Sequence, residues 1–371
     1  MAATPRATRD AFQRDWSTVQ AQARSAVSSG YASSRDNYWT TWCHYCNTLE
    51  LPPTLSHITD PIPVLSVFAL RVRTGQYSRS GTPVKSDTVA TALRHVGQTM
   101  ALLGTKDPRL TPSGFLDLRL QYLIRAFGKQ DPPPQRTIPL PVAVIRNCVV
   151  TAYAGERTNQ SLLAAADLIV IAFFFLMRPG EYCSSTSTDE VSHPFTLADL
   201  TFSSQGIPIN HLEAPLDELT TASEVLLTFT RQKNANRGEK IGHACSGDPL
   251  FCPVQALIRR VKHLRMNGAS PTCTIHTYYP QFRTRPTALP RAAILRLLRR
   301  SASEVASEIP TSEVHTRALR ASGAMALISS SVDSNIIRLL GRWQSDAMLH
   351  YLHVQNQPIL HQLASVMQQA K

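Results

Sequence analysis

Negative charge is what this 371-residue chain has least of: 26 Asp and Glu stand against 38 Lys and Arg, for a formal net charge of +12. Charged residues make up only 17% of the chain, so the imbalance is an arginine excess without a matching acidic set. Residues 1–130 carry 15 basic against 8 acidic residues and the remainder 23 against 18, so both parts are basic. That pattern points to a polyanion touched by both parts. Disulfide spacing is also missing. The seven cysteines are odd in number and scattered, which fits a reducing, intracellular compartment, the nucleus if the source is eukaryotic. Cys43 and Cys46 form a CxxC with no second pair at zinc spacing, and His243, Cys245, Cys252 and His263 are better read as a buried thiol and histidine set than as a metal site. No metal or other cofactor is expected. The first residues, MAATPRATRDAF, lack an apolar signal core. The longest apolar run, Leu162 to Met177, is interrupted by Asp167 and falls short of the about 20 residues that span a bilayer, so a buried helix is expected and no membrane. There is no phosphate-binding Walker loop, no dinucleotide fingerprint, no HExxH and no internal repeat.

Proline, by contrast, is concentrated where it divides the chain. Asp131 to Pro141 reads DPPPQRTIPLP, extended and non-helical, and marks a linker at 131–141. Before it, residues 1–30 read as a flexible segment. Residues 31–130 read as a helical DNA-binding unit. Tyr38, Trp42 and Tyr45 have helical spacing, further helices are expected at Val64–Thr74 and about Ser113–Phe127, and Ser86 should cap a helix striped by Val89, Leu93, Val96 and Met100. Arg71, Arg73, Lys85 and Arg94 are its candidate phosphate contacts.

Beyond the linker, residues 142–371 mix both secondary-structure periods. Helices are expected at Val142–Tyr153, Gln160–Met177, Asp248–Met266 and Arg291–Ile309, and strands within 195–230 and at Ile241–Ala244. The fold class is therefore mostly α with a small β-sheet. The Gln160 helix ends in Arg178-Pro179-Gly180-Glu181. Proline stops the helix there, and Glu181 can hold the Arg178 guanidinium in plane. A polar turn at 231–240 carries Lys233, with Lys240 as its rival.

The stretch Glu313 to Val354, EVHTRALRASGAMALISSSVDSNIIRLLGRWQSDAMLHYLHV, organises the rest. His315, Arg317 and Arg320 precede two apolar runs. Gly341 ends the second as a helix-stop glycine, Arg342 and Trp343 follow, and Tyr351 stands ten residues past the glycine. Arginine fixes phosphate by bidentate contacts, and a tyrosine hydroxyl can attack one. This ordered pattern resembles the C-terminal signature of tyrosine recombinases, the phage-integrase-like enzymes, in the branch carried by eukaryotic retrotransposon-like mobile elements.

The resemblance implies a helical, SAM-like core-binding domain followed by an α+β catalytic domain that closes on double-stranded DNA. It implies a site-specific recombinase or integrase that cleaves and rejoins DNA through a 3′-phosphotyrosyl intermediate without metal or ATP. Arg178, Lys233, Arg320 and Tyr351 match the catalytic positions, and Glu181 the supporting acid. Arg317 stands where the family has histidine, with His315 two residues earlier; the later His/Trp position falls on Arg342 by counting or Trp343 by chemistry. A helix over Pro358–Lys371 either packs on its own domain or, as in the family's tetramer, on a neighbour. Two alternatives stay open: a DNA-binding protein that keeps the fold but has lost cleavage, and an enzyme like type IB topoisomerases.

Overall fold

Apolar residues three and four apart share one face of a helix, and in the computed structural model Val89, Leu93, Val96 and Met100 are all buried. The structure describes residues 5–133, 137–154, 159–184, 194–230, 238–282 and 284–343. The chain divides into two compact units, Met1–Pro134 and Gln135–Lys371.

The first unit holds α1 (Arg6–Ser25), α2 (Ser29–Asn47), α3 (Ile62–Arg73), α4 (Ser86–Leu102) and α5 (Leu118–Lys129). Its core is aromatic. Trp42 packs edge-on to Phe68 at 5.0 Å, and both polar tips find carbonyls: Trp42 Nε1 donates to Pro53 O (2.8 Å) and Tyr45 Oη to Val64 O (2.9 Å). Four expectations need correction. Residues 1–30 are not without structure, because α1 runs for 20 residues of helix-favouring composition, with Phe12, Trp16 and Val19 on one half-exposed stripe. Ser86 is not the cap but the first helical residue, and its hydroxyl donates to Asp131. Asp131, placed by sequence in the linker, is a ligand of the first unit, bonded to Arg73 and to Ser86 N. The last helix starts at Leu118 rather than near Ser113, because Asp117 supplies the cap by accepting from Arg119 N.

In the second unit, α6 (Val142–Ala154), α7 (Gln160–Phe174) and the single turn α8 (Pro179–Tyr182) lead into a four-stranded antiparallel sheet. The sheet comprises β1 (Leu200–Ser204), β2 (Ile207–Ile209), β3 (Glu224–Phe229) and β4 (Glu239–Ala244), in the order β2-β1-β3-β4; the short α9 (Leu216–Leu219) joins β2 to β3. α10 (Pro253–Met266), a two-stranded pair β5 (Thr277–Tyr278) and β6 (Thr287–Ala288), α11 (Arg291–Val305), α12 (Ala318–Ser329) and α13 (Ser334–Gly341) complete it. The fold is mostly α with a small β-sheet.

α7 is the hub, packing against α6, α10, α11 and α12. Every residue from Ala164 to Phe173 is buried, which explains an apolar run with no polar face. Its one charge, Asp167, is satisfied by Arg259 Nε (2.8 Å) and Tyr153 Oη (2.9 Å). β3 alternates as a half-buried strand must, with Val225, Leu227 and Phe229 inward. β4 begins two residues earlier than its apolar pattern suggests, because Glu239 pairs with Phe229 and Lys240 with Thr228. Among the described residues no helix is long and apolar enough to cross a membrane.

Candidate active site

The site is built on the turn that ends α7. Leu176 adopts φ 47°, a left-handed conformation that costs a branched residue about 1–2 kcal/mol. The turn is held by what it gains. The Leu176 side chain is buried with Ala324, Ile337 and Trp343, and the carbonyls it exposes accept from two arginines. Two residues on, Arg178 caps α8. Its backbone N–H donates to Glu181 Oε2 (2.8 Å) and its Nη1 to Glu181 Oε1 (3.3 Å). Proline at the first helical position has no amide to satisfy, so the tight turn leaves no orphan donor there.

α12 delivers the second arginine. Gly323 lets the two helices touch: a Cβ there would lie 2.3 Å from Phe173 O. One turn earlier, Arg320 is brought to the Leu176 carbonyl (Nη1, 2.8 Å) and to the Gly341 carbonyl, with its guanidinium 4.3 Å from the centre of the Trp343 ring. α13 delivers the third. Gly341 does not stop the helix by adopting positive φ; Arg342 does so, at φ 56° and ψ 44°. Glycine is required at 341 for space, since a Cβ would sit 1.6 Å from Trp343 Cζ3, within the folded-back ring.

Arg342 points inward. Its side chain is 1% exposed, and it donates to Phe175 O (3.2 Å), Leu176 O (3.3 Å) and Glu181 Oε2 (3.0 Å) while lying 3.8 Å over the Phe229 ring. Burial pushes its guanidinium down to about 10, with Glu181 opposing that shift, Arg178 adding to it and Glu239 of β4 opposing it. Three guanidinium groups from residues 178, 320 and 342 thus gather around one turn, and two of them, those of 178 and 342, hold its buried carboxylate, Glu181. A centre with that balance has charge left for an anion.

His315 and Arg317 lie on the segment entering α12. Val314 and Thr316 are buried, and His315 and Arg317 between and after them are exposed. Thr316 pins the segment, its Oγ1 accepting from Arg291 Nε (2.8 Å) and its carbonyl from Tyr182 Oη (3.0 Å). Arg317 is the residue before α12, so helical spacing does not govern where His315 stands relative to Arg320. Burial holds the Tyr182 phenol well above its usual range. Lys233, Tyr351 and the expected helix at 358–371 lie outside the described residues. The rival Lys240 is exposed on β4, on the strand face opposite Glu239.

In the first unit, Lys85 and Arg94 are exposed, and Arg71 lies 5.1 Å over the Tyr45 ring. Arg73 is a correction to the candidate phosphate contacts, since its guanidinium is committed to Asp131, Val84 O (2.5 Å) and Phe127 O (3.3 Å). Of the imagined metal ligands, His243 Nε2 bonds Phe174 O (2.8 Å) and His263 Nε2 accepts from Tyr279 N (3.0 Å), so each is occupied by protein. What sequence reasoning missed is the part played by main chain: the Phe175 and Leu176 carbonyls carry no residue-type signal. Glu239 was also missed, and its position opposite Phe229 was discoverable only from the hairpin register.

The chain is similar to integrases and recombinases of known structure. One is the Tn1549 transposon integrase in complex with a circular intermediate DNA, at 10% identity and a TM-score of 0.45 over 83% of this chain and 86% of that one. The same integrase with transposon right-end DNA gives 11% and 0.44 over 81% and 83%. XerA recombinase gives 12% and 0.37 over 89% and 98%. No family model and no curated protein matches the chain.

Proposed function

We propose that the chain is a DNA strand transferase of the tyrosine-recombinase type, acting on double-stranded DNA. The observation that carries this reading is the gathering of Arg178, Arg320 and Arg342, separated by up to 164 positions in the chain, on the single turn from Phe175 to Glu181. Buried guanidinium groups are expensive unless a negative charge repays their desolvation. Two carboxylates, Glu181 and the Glu239 that acts on Arg342, do not balance three of them.

In this reading the Tyr351 hydroxyl attacks a DNA phosphodiester. The P–O5′ bond breaks, a 3′-phosphotyrosyl bond forms, and the leaving 5′-oxygen takes its proton from Lys233. A 5′-hydroxyl from another strand reverses the step, and the bond energy is kept in the covalent link. Arg178 and Arg320 neutralise the nonbridging oxygens as charge builds on them. The phenol, with an ordinary pKa of about 10, gives its proton to His315, and the positive field favours the phenolate that results. His315 and Arg317, both exposed at the entrance to α12, are assigned proton acceptance and phosphate contact respectively. Lys85 and Arg94 hold backbone phosphates from the first unit. The expected tail helix at 358–371 would join protomers on DNA.

A nicked suicide duplex tests the reading. Wild type should form a covalent adduct resistant to denaturant, and Tyr351→Phe should bind the duplex equally but form none. Equal binding with no adduct from either protein leaves a DNA-binding protein. Adduct formation with supercoil relaxation and no sequence preference leaves a topoisomerase-like enzyme.

A further inference from the structure

Two guanidinium groups, Arg178 and Arg342, share one carboxylate at the α7 turn, while Arg320 is held by the Leu176 and Gly341 carbonyls; the two stand in different relations to Glu181. Glu181 is buried, and its two oxygens are divided. Oε2 accepts from the Arg178 backbone N–H (2.8 Å) and from Arg342 Nη2 (3.0 Å); Oε1 accepts from Arg178 Nη1 (3.3 Å). The Arg342 side chain is 1% exposed, whereas that of Arg178 is 24% exposed. The longest of the three contacts is the one to the Arg178 guanidinium. Among the described residues it is the only side-chain hydrogen bond Arg178 makes.

A bare carboxylate beside Arg178 would close on its guanidinium as a bidentate pair, the preferred geometry for these groups. Such a pair would occupy the donors an incoming phosphate needs. Arg342 supplies a second cation from the interior, at a place solvent and substrate do not reach. We propose that Arg342 is a positioning residue: by neutralising Glu181 from the buried side it keeps the carboxylate oriented on the Arg178 backbone and leaves the Arg178 guanidinium open to an oxyanion. Arg342 therefore touches no phosphate itself. This rests on the anion-pocket reading of the site and specifies how that pocket is kept vacant.

The packing supports the assignment. Arg342 is held from three sides, by the Phe175 and Leu176 carbonyls, by Glu181, and by the Phe229 ring, so it has no rotamer that reaches outward without leaving all three. The charged groups that act on it are Glu181, Arg178 and Glu239. Its Nε is buried with no hydrogen-bond partner among the described residues. A merely structural arginine would more commonly be fully satisfied.

The test uses the full-length protein, phenylglyoxal as an arginine label, inorganic phosphate as the probe, and mass spectrometry of the Arg178 peptide as the readout. Phosphate should slow labelling of wild-type Arg178. In Arg342→Met the released Glu181 closes on Arg178, and the phosphate needed for the same protection should rise about tenfold or more, the worth of one charge-assisted hydrogen bond. Arg342→Lys should retain much of the protection. Adding Glu181→Gln to Arg342→Met should restore it to the level of Glu181→Gln alone, because a carboxamide does not capture the guanidinium.

Wild-type phosphate dependence in folded Arg342→Met overturns the inference, as does a double variant no better than Arg342→Met. If Arg342→Met does not fold, Glu181→Gln and the double variant decide: equal protection supports action through Glu181, and weaker protection in the double variant means Arg342 contacts the anion or only braces the turn. Absence of any phosphate effect on wild type removes the anion pocket itself, a distinct outcome.

Discussion

Among its described residues the second unit holds two buried carboxylates with arginines around them, Asp167 and Glu181, and they are built to opposite ends. Asp167 receives Arg259 Nε and Tyr153 Oη, and the other two Arg259 nitrogens end on the Pro249 (3.0 Å) and Leu250 (3.2 Å) carbonyls. Its neighbour Arg260 is fully buried on the Ile275 (3.1 Å) and Thr277 carbonyls. Glu181 instead receives Arg342 from inside and Arg178 from outside, and the Arg178 guanidinium makes a single bond among the described residues. Exposure does not separate the two centres: the side chains of Arg259 and Arg178 are 22% and 24% exposed. Satisfaction does. An arginine whose nitrogens all terminate on protein is part of the core, while one held by an edge is available to a ligand.

That contrast can be broken most severely at the closed centre. Asp167→Ala strands Arg259 and Tyr153 beside a buried helix, and unfolding in urea should show a loss of about 3–5 kcal/mol. DNA binding by the protein that remains folded should be unchanged. At the open centre, Gly341→Ala drives a methyl into the Trp343 ring. Overpacking of this kind costs about 1–3 kcal/mol. The ring should leave Arg320, seen as a red-shifted tryptophan emission, and adduct yield on the suicide duplex should fall with it.

The first unit offers the same contrast with one residue of each kind. Arg73→Ala should lower the melting temperature and leave the salt dependence of duplex binding as it was. Arg94→Ala should do the reverse, weakening binding and reducing the salt slope by about 1. The smallest effect is in pH. Burial first, and the Arg260 charge second, hold the His263 and His276 rings down to about 4. Unfolded rings protonate near 6.5, so between that pH and about 4 the unfolded state binds more protons and stability falls as pH drops. His263→Gln, which can still accept from Tyr279 N, should flatten part of that slope in urea midpoints measured from pH 7 to 4.

Much of the architecture was legible because its signals are local. The α7 run, the α4 stripe and the alternation of β3 each follow from residue spacing alone. Helix starts were less so: α5 begins at Leu118, capped by Asp117, rather than near Ser113, and Ser86 gives its hydroxyl to Asp131, 45 residues away, instead of capping α4. A cap is chosen by competition with distant acceptors, which spacing does not reveal. α1 was misjudged for a related reason. Its composition favours helix, but its apolar stripe is short and half-exposed, so the periodic signal is weak.

The sequence by itself determined the chemistry present: an arginine-rich chain with RPGE at the end of a buried helix, an arginine at the head of another, and Gly-Arg-Trp at the close of a third. It also determined that two basic units flank a proline-rich stretch. Only the tertiary structure decided which way each guanidinium faces. Arg73 and Arg342 look like ligand contacts in one dimension and are turned inward in three; Arg178 looks like a helix-end ion pair and keeps donors in reserve. The reason is that an arginine side chain is long and its five donors accept any oxygen within reach. Its direction is set by carbonyls and carboxylates that the fold brings from far along the chain.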